Sequence, residues 1–154
     1  SPVLTALLEA RCFSSVTVMV QKEVAQRMAA APGSRDYSAF TVFCNYYAQP
    51  ELLFDVPPSC FLPQPKVTSS VIRLNVRQAP PYPVADEELF FRVVRASFAQ
   101  RRKQLQNGLA AGFPALGKEI IGDILRNCGL SPTVRGETLD IPTFARIAAA
   151  IGRA

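Results

Sequence analysis

The chain of 154 residues contains no histidine and no tryptophan. Without histidine the commonest general base is missing, and so is any Ser-His or Cys-His nucleophile pair, which weighs against ordinary hydrolase chemistry. The four cysteines, Cys12, Cys44, Cys60 and Cys128, are far apart and have no imidazole to complete a zinc site. They are expected to be reduced, small, buried hydrophobes, and no metal site is expected. No apolar run approaches the roughly 18 to 20 residues needed to cross a bilayer, and "SPVLTALLEA" lacks a basic region followed by an apolar stretch and a cleavage site. The expectation is a soluble, cytoplasmic protein.

Acidic residues are the minority charge, 12 against 17 lysines and arginines, for a formal charge of +5. That balance permits a polyanionic partner without requiring one. Hydrophobic residues make up 49% of the chain, enough for a real core, and the length suits one ordinary domain or two small ones.

Two regions of different character follow one another. In residues 1–78, Ser1 can cap a helix with Pro2 at its first position, and the uncharged run "VTVMVQ" (Val16 to Gln21) reads as a buried strand. "KEVAQRMAA" reads as a short helix ended by Pro32-Gly33, and "RDYSAFTVFCNYY" as a more ambiguous one. "ELLFDV" (Glu51 to Val56) and "VTSSVIRLNV" (Val67 to Val76) read as strands joined by a proline-rich loop, with Ile72, Leu74 and Val76 facing one way and Arg73 and Asn75 the other. "QAPPYPVAD" supplies a linker, placed at 79–85. In residues 86–154 no strand is expected. "DEELFFRVVRASFAQRRKQLQNGL" reads as the best helix of the chain, "GKEIIGDILRNCGL" as a helix stopped by Gly129, and "DIPTFARIAAAI" as a helix capped by Asp140 with Pro142 in its first turn.

On a wheel of about 100° per residue, Arg92, Arg95, Arg102 and Lys103 share one arc and Phe91, Val94, Phe98 and Leu105 the next. Arg101 falls among the apolar positions, so a break near Gln100 is expected to turn it outward. A solvated amphipathic helix has this pattern too, but three consecutive cations with no acid between Glu88 and Glu119 favour a surface for nucleic-acid phosphates. Such contacts position a nucleic acid without reading its sequence.

The segment "FLPQPKVTSSVIRL" (61 to 74) holds Phe61 on a loop stiffened by Pro63 and Pro65. A rigid exposed ring is a stacking platform, whereas the plainer alternative has Phe61 covering a sheet edge. Spacing and composition do not decide between them.

That string, with "VMVQKEVAQRM" before it and "FRVVRASFAQRRKQLQNGL" after it, resembles the ribosomal RNA adenine dimethyltransferase family over nearly the whole chain. The resemblance implies the C-terminal part of a Rossmann-like methyltransferase sheet (1–78) followed by a small helical RNA-binding domain (86–154). It also implies transfer of methyl groups from S-adenosylmethionine to two adjacent adenines of 16S rRNA in the small ribosomal subunit. By the same resemblance Phe61 stacks on a flipped-out target adenine; Pro63, Pro65, Lys66 and Ser69 form the loop and strand behind it; and Arg95, Arg101, Arg102 and Lys103 meet RNA phosphates, with Arg92 added as an RNA-binding candidate from the cationic arc of the wheel.

The sequence departs from the family in one large respect. It has neither the Gly-rich strand-to-helix turn and acidic residue that hold the cofactor nor the Asn-Leu-Pro-Tyr motif that grips the adenine amino group. This chain alone is therefore expected to be inactive and not to bind the cofactor, and the edge of "VTVMVQ" is expected to be covered by a second copy, a swapped element or the missing half. The competing reading is a stand-alone RNA-binding or ribosome-assembly module without catalysis; a DNA-binding relative of the family is a weaker third.

Overall fold

In the computed structural model, which describes residues 2–154, a three-stranded sheet of order β1-β3-β2 joins β1 (Ser15–Gln21), β2 (Ala48–Val56) and β3 (Ser69–Val76). The cap expected at Ser1 lies outside the described residues. Both pairings are antiparallel, with Val18 and Leu52 opposite Ile72, and Gln21 and Val56 opposite Ser69. The alternation of β3 is as expected: Ser70, Ile72 and Leu74 are buried and Arg73 is exposed. β1 differs from the expectation of a buried strand. It lies at the sheet edge, where Val16 is buried, Val18 and Val20 are half-buried and Met19 is 51% exposed. A β-branched run without charge reads as buried on both faces, but here only one face is covered. β2 begins three residues earlier than expected and contains Pro50, which an edge strand tolerates because its outer N–H positions need no partner.

Helices α1 (Pro2–Ala10), α2 (Lys22–Met28) and α3 (Ala39–Tyr47) accompany this sheet, with α2 packed on β3, α3 on β2 and α1 on α3. Local chemistry settles the ambiguity at α3. The Ser38 hydroxyl accepts from the Thr41 N–H while Thr41 Oγ1 accepts from the Ser38 N–H, a reciprocal cap that fixes the first turn. Thr41 Oγ1 then donates to the Arg27 carbonyl at 2.6 Å and Asn45 Nδ2 to the Met28 carbonyl at 3.0 Å, so the polar residues of α3 hold the end of α2.

The second region contains α4 (Glu87–Phe98), α5 (Leu105–Gly112), α6 (Gly117–Asn127) and α7 (Ile141–Arg153), and among the described residues no strand follows Asp86. Asp86 accepts from the Leu89 N–H and Asp140 from the Thr143 N–H, both at 3.0 Å, and Gly129 at φ +77 takes the left-handed position after α6. The expected helix over 86 to 109 is two helices. A Cβ on Gly108 would lie 2.6 Å from the Ala96 carbonyl oxygen, so α5 folds back onto the last turns of α4 at a distance only glycine permits, and the chain must reverse between Phe98 and Leu105. Arg102 and Lys103 thus occupy a turn, off the helical wheel, whereas the break at Gln100 falls where expected and Arg101 is exposed.

Residues 79–85 contain no helix or strand, yet one hydrophobic cluster runs through both regions, from Ile72 and Leu74 through Tyr46 and Phe90 to Phe144 and Ile147. Tyr46 stacks on Phe90 at 5.1 Å across this seam. The cysteines are free, but not uniformly buried as expected: Cys44 is buried, Cys128 half-buried, and Cys12 and Cys60 exposed. Cys12 sits in the connection from α1 to β1, and Cys60 in the 3-10 turn after β2. No helix of the described residues is long and apolar enough to cross a membrane.

Candidate nucleic-acid interface

Between β2 and β3 the chain crosses the end of the sheet where Gln21, Val56 and Ser69 meet. Pro58–Cys60 forms one 3-10 turn, and the Phe61 N–H closes it on the Pro58 carbonyl at 3.2 Å. Pro57, Pro58, Pro63 and Pro65 fix φ on both sides of the ring, so little conformational freedom remains to be lost when it is used. Phe61 is half-buried, neither sealed in the core nor fully free, and its neighbour Leu62 is 99% exposed. Lys66 and Pro63 are exposed; Pro65 and Ser69 are half-buried.

The loop is anchored by a residue that the sequence did not single out. Asp55, at the end of β2, accepts from the Ser70 hydroxyl at 2.7 Å and pairs with Lys22 Nζ at 3.0 Å. The Ser70 hydrogen bond and then the Lys22 ammonium hold its carboxyl below the ordinary carboxylate range. The Lys22 N–H donates to the Thr68 carbonyl at 3.0 Å, so both ends of the loop are tied to the first residue of α2. Nothing in the linear order links Lys22, Asp55 and Ser70.

The five basic residues separate into two groups. Arg92 lies over the Phe113 ring at 4.3 Å and donates to the Gly112 carbonyl at 2.9 Å, and Arg101 Nε meets Glu137 at 3.1 Å while its Nη2 donates to the Arg35 carbonyl. Arg95, Arg102 and Lys103 are exposed. The acid expected to be absent from this stretch arrives from the 3-10 turn Gly136–Thr138, whose Glu137 carbonyl also accepts from the Gly33 N–H at 2.8 Å. Arg101 is therefore part of a tie between the two regions as well as part of the basic turn. Both ties join segments remote in sequence, which is why local pattern does not reveal them.

The strand-to-helix junction at Gln21-Lys22 has no glycine, and the left-handed glycines, Gly33, Gly117 and Gly129, follow no strand. Among the described residues no glycine-rich turn follows a strand into a helix in the manner of a nucleotide-phosphate cradle.

Residues 1–141 match the family model "Ribosomal RNA adenine dimethylase". The chain is 48% identical to the ribosomal RNA small subunit methyltransferase A of Caldanaerobacter subterraneus subsp. tengcongensis, over 98% of its own length and 56% of the relative's, and 48% identical to that of Geobacillus kaustophilus, over 98% and 53%. It spans about half the length of these curated relatives. Among solved structures, a dimethyladenosine transferase from Plasmodium falciparum superposes with a TM-score of 0.84 at 22% identity, over 99% of this chain and 63% of that one. The 23S rRNA methyltransferase ErmE superposes with a TM-score of 0.67, also at 22% identity, over 97% and 59%. These likenesses agree with a partial methyltransferase fold.

Proposed function

Since the chain belongs to the ribosomal RNA adenine dimethylase family, we propose that it is the substrate-facing part of an enzyme that dimethylates N6 of two adjacent adenines in 16S rRNA of the small subunit, in the cytoplasm. The observation that carries this reading is the half-exposed Phe61 ring on a proline-braced loop anchored by Asp55. An adenine in a stack hides the edge to be modified, so it must be extruded, and an aromatic face replaces part of the stacking it loses. In this reading Phe61 receives the base, and Pro63, Pro65, Lys66 and Ser69 hold and flank the ring. Arg92, Arg95, Arg101, Arg102 and Lys103 line the RNA side, with Arg95, Arg102 and Lys103 the cations most available to phosphates. Residues 1–78 then form the sheet portion, 79–85 the linker and 86–154 the helical RNA-binding portion.

S-adenosylmethionine would supply the methyl group, and its site is assigned to a segment other than these residues, which offer no glycine-rich strand-to-helix turn. Calorimetry on the 154-residue chain should show no cofactor binding in the micromolar range, while the same residues within a longer protein of relatives' length should methylate small-subunit RNA. Micromolar binding by the short chain would overturn the assignment of the cofactor site to another segment. RNA binding without methylation by the longer protein would favour the alternative, an assembly module without catalysis.

A further inference from the structure

A concave site lies between α1, α3 and α4. It is a cavity of about 280 Å³ lined by Phe40, Phe43, Phe91, Val94, Ala39 and Arg95, with Thr5 completing the wall. The three phenylalanines are half-buried, so their rings are only partly covered by the protein, and Arg95 is exposed at the rim. Drug-sized ligands occupy clefts of about 300 to 1,000 Å³, so this one suits a single planar ring system. We propose that this pocket takes one unpaired RNA base, stacked against the phenylalanine rings, with Arg95 meeting its edge or its phosphate. The inference rests on the RNA reading above but assigns a base-holding role away from Phe61.

Three observations favour RNA over another occupant. Partly exposed aromatic rings beside a guanidinium are the combination with which proteins hold splayed bases, because every base has a π-face and every nucleotide a negative phosphate. The site is positioned by the helices themselves. Tyr46, near the end of α3, is tied to Glu87, at the start of α4, at 2.8 Å, and the two helices run from this tie past the pocket. Arg95 lies in the last turn of α4, and the exposed Arg102 and Lys103 follow in the turn after that helix, so cations continue along the chain beyond the cavity rim. Arg95 at the rim and the exposed Arg102 and Lys103 are cationic, complementary to a polynucleotide, while Glu137 is taken up by Arg101.

The test uses a hairpin RNA with one 2-aminopurine in its loop, titrated into the 154-residue chain, with fluorescence and affinity read together. Stacking in the pocket quenches the probe. Ala39→Phe fills the cavity from the first position of α3, and Phe40→Leu removes a ring while keeping an apolar side chain. Each should abolish the quench and weaken binding about tenfold, as expected for one lost base stack, with the salt dependence unchanged because no phosphate contact is removed. Binding without any quench, or a quench that persists in both variants, overturns the pocket assignment while leaving the RNA reading intact. No binding by the unsubstituted chain overturns both.

Discussion

The Tyr46 hydroxyl donates to Glu87 Oε1 at 2.8 Å, joining the last turn of α3 to the first turn of α4. Arg11 pairs with the same oxygen and lies 5.1 Å from the Tyr47 ring, so three segments converge on one carboxylate. The Tyr46 hydrogen bond and the Arg11 ion pair hold the Glu87 carboxyl below the ordinary range, while burial first, and then the bond to Glu87, raises the Tyr46 phenol. A carboxylate with a depressed folded pKa contributes stability that is present above its unfolded value of about 4.3 and is lost as pH falls through the folded value. Glu87→Gln should therefore lower stability by about 0.5 to 1 kcal/mol at pH 7, a small effect because both charged partners are over a third exposed, and the difference should close as pH falls below about 4. Denaturant titrations of both proteins across that range decide it; a gap that stays constant with pH would show that the carboxylate charge plays no part.

A second expectation concerns Phe61. Replacing it with alanine in a methylation-competent longer protein should reduce turnover by roughly tenfold to a hundredfold, the scale of one lost base stack, while Phe61→Tyr keeps a ring and most of the activity. Because the ring is only half-buried, Phe61→Ala should shift the unfolding midpoint little. Equal loss of activity and stability would mean that the ring covers the sheet edge, the plainer alternative.

The basic turn gives a third. Arg102→Ala with Lys103→Ala should weaken RNA binding and lower the slope of log K against log salt by about 1.4 to 1.8, since each lost phosphate contact removes about 0.7 to 0.9. Arg101→Ala differs from these two because it also releases Glu137 and the Arg35 carbonyl. It should lower stability as well as affinity, which a thermal melt beside the salt titration separates.

Much of this arrangement is legible in the sequence where its cause is local. The cap at Asp140, the stop at Gly129 and the alternation of Ile72 and Leu74 each depend on residues within a few positions, and each stands where expected. What was misread depends on distant partners. The break near Gln100 was expected, but its becoming a full reversal follows from Gly108 meeting Ala96, and the edge position of β1 follows from sheet order, which residues 16 to 21 do not encode. The same holds for the interface: Phe61 and its prolines are contiguous and visible, whereas Asp55 gains its role from Lys22 and Ser70, and the pocket rings come from α3 and α4.

The exposed edge of β1 leads to the last expectation. Its outer side has no strand partner among the described residues, and on the open face of the sheet Met19 (51% exposed) lies opposite Val71, which in turn lies opposite Phe54 (60% exposed). Unpaired N–H and C=O groups beside an apolar row are a template for another strand, because adding one satisfies the backbone and sets apolar side chains of the new strand against the row. The 154-residue chain should therefore self-associate in a concentration-dependent way, measurable by light scattering. Met19→Lys should return it to the monomer, since the substitution replaces an apolar cross-strand contact with a charge on the edge strand. The same substitution should leave RNA binding unchanged, because Met19 lies away from Arg95, Arg102 and Lys103 in both sequence and structural element. A chain that stays monomeric at all accessible concentrations would show that α1 and the sheet twist already protect the edge, and the row would then lose its assigned role.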